Sequence, residues 1–217
     1  MIGARLWHTT VAVLVVFAIA VQIKLAIDAP AVPAGHEVGR LAGTAGAGRV
    51  IRLLSFFTVQ SNILSGIVAA QLALRPDRDG RLWRIARLDA LFGITVTGVV
   101  YATVLARIHE PHGWEQTSSN IVVHYLVPIG MVLGWLLFGP RPRVTASVVR
   151  WSLAWPIAWL IYTLIRGEAT HWYPYPFLDA ATQGYARVLL NAVAVTAVFA
   201  GVAALFSWGD RKLRPAP

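Results

Sequence analysis

Six apolar runs, each about as long as a bilayer is thick and separated by short clusters of charge, constrain this chain more than any other feature. A hydrocarbon core about 30 Å thick needs about 20 apolar residues per helix. The runs fall near Leu6–Ile27, Val50–Leu74, Ile85–Ile108, Asn120–Phe138, Val144–Ile165 and Tyr185–Trp208. With no water in the bilayer to satisfy N–H and C=O groups, each run must bond its own backbone, as a helix does. The expected fold is all-α, a single domain over 1–217 with six transmembrane helices in one bundle. Trp7, Trp83, Trp114, Trp151, Trp172 and Trp208 gather at run ends, where amphipathic rings prefer the headgroup level. Only 13% of the 217 residues are charged, and these sit between the runs. This excludes a soluble enzyme, a disordered tail and a coiled coil. The chain has no cysteine, which removes disulfides, thiolate zinc sites and cysteine catalysis.

The net charge of +9 reads as topology rather than as a nucleic-acid footprint. Twelve of the nineteen Lys and Arg residues fall on one side of the alternating runs, including Arg75, Arg78, Arg81, Arg84 and Arg87 in one loop. Basic excess marks the cytoplasmic face, so both termini are expected there. Arg40, Arg49 and Arg52 fall on the other side. The first run is too long for a signal core of about 7–15 residues and is expected to be retained. Residues 28–49, rich in Ala, Gly and Pro, read as an outward loop or shallow lid. The segment His109–Ser119 reads as a polar outward loop. In 166–184, two prolines and four aromatics within nine residues predict an extended segment, most simply an anchor at the membrane interface.

Polar groups within the runs are costly unless they are paired or line a cavity. Ser55, Thr58, Asn62 and Ser65 step by three, four and three, which places them on one helix face. Asn120 and His124 share a face of the fourth run, and the sixth carries Asn191. Counting rise per residue puts Thr58 on the order of 12 Å and His124 roughly 6 Å inside their helices, from the same side. Lys24, Arg107, His109, Arg166, Glu168 and His171 end near that level. The pattern predicts a polar cluster in the outer half of the bundle, and none in the other half apart from Asp89.

Such a cluster suits nucleophilic acyl transfer. A threonine hydroxyl attacks poorly until a base takes its proton, and a histidine within reach can do so and later protonate the leaving alkoxide. Asn62, Asn120 and Asn191 are the candidate donors to a tetrahedral intermediate, with no pattern choosing among them. Glu110 and Glu168 are candidates for orienting the imidazole, and Arg166 and Lys24 for holding a lipid carboxylate. The plainer readings are helix-packing bonds for the Ser/Thr/Asn stripe and a structural interhelix bond for His124. A metal site built from His109, Glu110, His112, His124 and His171 is a further alternative, although Pro111 interrupts the helical spacing such motifs use. A bundle that binds or transports lipid without chemistry is another.

Three stretches together resemble a known family. They are Phe56-Phe57-Thr58 followed by Gln60-Ser61-Asn62, then His124-Tyr125-Leu126-Val127-Pro128, then Trp172 through Leu178 with Tyr175-Pro176-Phe177-Leu178. In order and spacing the set resembles the androgen-induced and androgen-dependent membrane protein family and its bacterial six-helix relatives. The resemblance implies an intramembrane threonine hydrolase of fatty acid esters of hydroxy fatty acids or similar lipids. By the same resemblance Thr58 is the nucleophile and His124 the essential histidine. It implies no cofactor and no metal, a membrane lipid as substrate, and no nucleic-acid partner. Ser61 stands where the animal members carry an acidic residue. Nothing in the pattern sets the oligomeric state.

Overall fold

The computed structural model describes residues 2–29, 39, 41, 44 and 46–213. Arg40, Arg214 and most of the loop over 28–49 lie outside the described residues. Among the described residues there is no strand. The helices are α1 (Ile2–Asp28), α2 (Ala47–Ser55), α3 (Phe57–Leu74), α4 (Arg81–Thr103), α5 (Gly113–Ile121), α6 (Val127–Phe138), α7 (Ala146–Ser152), α8 (Ala154–Thr170) and α9 (Ala180–Lys212). A π turn over Val122–Leu126 fuses α5 and α6 into one span. Six of the resulting helices are long and apolar enough to cross a bilayer: Ile2–Asp28, Phe57–Leu74, Arg81–Arg107, Gly113–Phe138, Ala146–Thr170 and Ala180–Lys212. The protein is an integral, multi-pass membrane protein.

Several boundaries differ from the sequence reading. The second run is not one helix, because Phe56 is extended (φ −68°, ψ 130°) and separates α2 from α3. No Gly or Pro announces the break. Side chains from elsewhere satisfy the carbonyls it frees: Gln60 Nε2 donates to Leu54 O and Trp159 Nε1 to Ser55 O, each at 2.9 Å. Interrupted backbone at membrane depth is tolerated where protein groups re-satisfy it in this way. The fourth span begins at Gly113, not Asn120, because residues that read as a polar loop form a helix with Gln116, Ser119 and Asn120 facing a cavity. The fifth continues to Thr170, past Ile165. The sixth begins at Ala180, where Asp179 caps it by accepting from the Ala181 and Thr182 N–H groups at 3.1 and 3.4 Å. Asp179 itself is fully buried.

The bundle closes through small residues. Helix α1 buries His8, Val11, Val15 and Ala18, a stripe at helical spacing. Gly66 of α3 lies so close to it that a Cβ would come within 2.8 Å of Val15. Lipid chains are as apolar as leucine, so such close backbone approach, not hydrophobicity, holds membrane helices together. Half of the apolar windows of α3 and α4 is buried, against 17% in the span of α7 and α8. The first two are therefore interior and the last is peripheral.

The arginine-rich end carries a buried polar cluster that the sequence reading did not expect. Arg87 is 6% exposed and donates to the carbonyls of Gly139 and Pro140. Asp210 is 2% exposed and accepts from the backbone N–H groups of Arg143 and Val144, both at 2.6 Å. The partners come from segments more than fifty residues apart, which is why no local pattern showed them.

Candidate active site

Thr58 is the second residue of α3, just past the Phe56 break. The first N–H groups of a helix have no partner within it. Here the Thr58 N–H donates to the Tyr175 hydroxyl at 3.1 Å, and the same hydroxyl lies 3.1 Å from Thr58 Oγ1. Tyr175 arrives on a segment shaped by its own residues. His171, in the left-handed region (φ 51°), ends α8. Pro174 and Pro176 then keep the backbone from resuming an α-helix until α9, with only a 3-10 turn over Pro176–Leu178 between. The segment is not an interface anchor. Trp172, Tyr173 and Tyr175 are all buried, and the Tyr175 ring meets Phe56 edge-on with centroids 5.5 Å apart. Burial pushes the Tyr175 hydroxyl above its ordinary pKa, opposed by the bonds from Thr58, so it stays protonated and able to donate to Oγ1.

His124 is placed by the π turn, and Pro128 accounts for the turn. A proline lacks the N–H that would bond the carbonyl four residues back, and its ring crowds that carbonyl. Four residues before Pro128 is His124. The ladder widens there, with the Val127 N–H bonding Val122 O across five residues. π turns inside α-helices recur at functional sites because they re-aim side chains. Replacing Pro128 with alanine is expected to stabilise the span, since proline in a helix interior costs about 3 kcal/mol. It is also expected to lower any turnover that depends on His124 at least tenfold, by returning the ring toward α geometry. Thermal stability in detergent and His124-dependent turnover, measured on the same sample, should move in opposite directions.

Hydrogen bonding fixes the state of the ring. Nδ1 of His124 lies 2.8 Å from Asn120 Oδ1 and 3.2 Å from Asn120 O. Both are acceptors, so Nδ1 carries the proton and Nε2 keeps its lone pair. The amide of Asn120 is fixed in turn, because its Nδ2 donates to Tyr101 OH at 2.7 Å. The Tyr101 hydroxyl lies 3.2 Å from His109 Nδ1, within hydrogen-bond distance. Burial holds the His109 imidazole below its ordinary pKa, so it is neutral and can accept. The Tyr101 ring also stacks on His124, with centroids 3.7 Å apart and planes 14° from parallel.

Both halves face one cavity of about 470 Å³, lined among others by Thr58, Val59, Tyr101, Asn120, His124 and Tyr175. Asn62 holds the two helices in register: its Nδ2 donates to Thr58 O at 2.8 Å and to Val123 O at 3.1 Å. Thr58 Oγ1 bonds Tyr175 and not His124, so the two side chains line one cavity without a direct bond. The depths estimated from sequence shift with the helix boundaries. Thr58 stands at the start of its span, and His124 lies eleven residues past Gly113, roughly 16 Å along.

Among the other expected site residues, Asn120 lines the cavity but orients the imidazole. Asn62 is fully buried as the clamp just described and is not among the lining residues. Asn191 donates to Phe177 O at 2.8 Å, supporting the Tyr175 segment from behind. Arg166 lies over the Trp172 ring at 4.8 Å. Lys24 pairs with Asp28 and Glu115 at 3.0 and 3.1 Å, and Glu168 accepts from Tyr185 at 2.7 Å. Neither Glu168 nor Glu110 reaches the imidazole, whose Nδ1 belongs to Asn120. Among the described residues no three His, Asp or Glu side chains gather as a metal site. The chain matches no family model, no curated protein and no solved structure. Sequence reasoning passed over Tyr101 altogether. It quoted Tyr175 without a role, although a tyrosine between two prolines already signalled a fixed hydroxyl.

Proposed function

We propose that this protein hydrolyses lipid esters inside the membrane, with Thr58 as nucleophile and His124 as general base. One observation carries the reading: Asn120 occupies Nδ1 of His124, which leaves Nε2 as the basic nitrogen, and His124 and Thr58 line the same cavity. In the first step Nε2 takes the Thr58 proton while Oγ1 attacks the ester carbonyl. The tetrahedral oxyanion is met by the Tyr175 hydroxyl and by the Val59 N–H, which stands in the first turn of α3 where helix donors lack internal partners. The imidazolium then protonates the departing alkoxide, leaving an acyl-threonine and a free alcohol. Water, deprotonated by the same nitrogen, cleaves the acyl-threonine to the carboxylic acid and restores Thr58. The scheme calls on no group beyond these side chains and water. The basic excess at the opposite end supports cytoplasmic termini and a site in the outer half of a bacterial plasma membrane. The sequence resemblance supports fatty acid esters of hydroxy fatty acids, or similar lipids, as substrates.

A lipid-binding or transport role without turnover is favoured by a different observation, the bond from Thr58 Oγ1 to Tyr175 in place of His124. Labelling with a fluorophosphonate separates the two. The expected result is covalent labelling of the wild-type protein on Thr58, lost in Thr58→Ala. A folded wild-type protein that binds lipid but takes no label would establish the rival.

A further inference from the structure

Thr58 and Tyr175 also line a second cavity, of about 170 Å³, on the side of Thr58 facing α4, α8 and α9. Its other walls are almost wholly apolar, among them Val96, Val100, Leu160, Val195 and Phe199. His124, Asn120, Tyr101 and His109 line the larger cavity and not this one. The nucleophile therefore stands at the junction of two chambers of unlike chemistry.

We infer that the smaller chamber is the acyl-chain subsite and the larger one the alcohol subsite, so that an ester binds in one direction only. This rests on the threonine–histidine reading above and adds the polarity of the substrate. The reasoning follows the proton. When Oγ1 attacks the carbonyl carbon and the carbon–oxygen bond to the alcohol breaks, the departing oxygen must receive its proton from His124 Nε2. That oxygen, and the alcohol attached to it, must lie in the chamber that holds His124. The acyl chain, attached to the other side of the same carbon, is then directed into the chamber without it. The products are an acyl-threonine with its chain among Leu160, Val195 and Phe199, and a protonated alcohol in the polar chamber. The size sets a length. A dry cavity of about 150 Å³ takes up benzene, so this one takes about six chain carbons. Ile157, another of its lining residues, is 56% exposed, so a longer chain has a way out beside it.

The test uses the full-length protein in detergent with p-nitrophenyl esters, whose alcohol is constant while the acyl chain lengthens from acetate to dodecanoate. kcat/KM is expected to rise about fourfold for each methylene the chamber buries and to level off near six carbons. Ala192→Phe places a ring in the chamber and is expected to lower the hexanoate rate about tenfold, leaving acetate within about twofold. Leu160→Ala enlarges the chamber and is expected to move the plateau to longer chains. It keeps the proposal testable where the bulkier variant fails to fold. A flat acyl series with turnover that still needs Thr58 overturns the inference and leaves the hydrolase standing. So does an Ala192→Phe protein that instead discriminates among acetate esters of short and long alcohols. Hydrolysis that survives Thr58→Ala, or no wild-type hydrolysis at all, removes the underlying reading and the chamber assignment with it.

Discussion

Removing His124 is expected to lower ester hydrolysis about a thousandfold, removing Thr58 by as much or more, and removing both no further. The non-additivity is the informative part. Two groups that act in one proton transfer lose their joint effect when either is gone, so the second deletion finds nothing left to remove. His124→Gln keeps the volume and an acceptor but not the basic nitrogen, and it belongs with the inactive set. Thr58→Ser keeps a hydroxyl on the same Tyr175 bond and should retain part of the rate. Structural damage is a poor explanation for such a pattern. The backbone N–H of Thr58 still bonds Tyr175 in Thr58→Ala, and one lost hydroxyl bond costs about 1 kcal/mol of stability. Turnover and fluorophosphonate labelling of the four proteins give the cycle. Additive losses would mean that the two residues serve separate purposes.

Gly167→Ala is expected to abolish hydrolysis from a position that never touches substrate. A Cβ there would lie 2.0 Å from Cε1 and 2.3 Å from Cζ of Tyr173. Tyr173 is 1% exposed, so the ring cannot swing out without disturbing its neighbours. The whole 171–179 segment must lift, and Tyr175 lifts with it, removing its hydroxyl from Thr58. Overpacking of this kind costs about 1–3 kcal/mol of stability, a modest loss. The rate loss should exceed about a hundredfold, because the oxyanion donor and the threonine's orientation go together. Tyr173→Leu in the same chain removes the clashing ring and should restore much of the rate. A Gly167→Ala protein of full activity would show that Tyr175 has no part in the chemistry.

The spans were legible because a bilayer demands the same thing of every helix, a run of apolar residues, and all six runs carried it. The ends were less so. Polarity at 113–119 read as loop, yet these residues are helical because Gln116, Ser119 and Asn120 turn toward a cavity that sequence does not display. The break at Phe56 was invisible for a related reason: its freed carbonyls are answered by Gln60 and Trp159, the latter about a hundred residues away. At the site, Thr58 and His124 could be proposed from helix spacing and resemblance. Tyr175 and Tyr101 could not be given roles, since a hydroxyl's partner depends on tertiary contact. Asn120 makes a contact that the sequence did not assign to it. Its four-residue spacing from His124 predicted a shared face, and the face they share is used to hold the ring's proton.

The widened turn before Pro128 means that the fourth span carries one amino acid more than an unbroken helix of its length requires. Deleting a single residue between Val122 and Leu126 and replacing Pro128 as well would let both flanks keep their neighbours and anneal into a regular rod, and the imidazole would then point elsewhere. The chain thus stands two changes from a bundle of the same shape with its histidine re-aimed, so the proposed chemistry is separable from the fold.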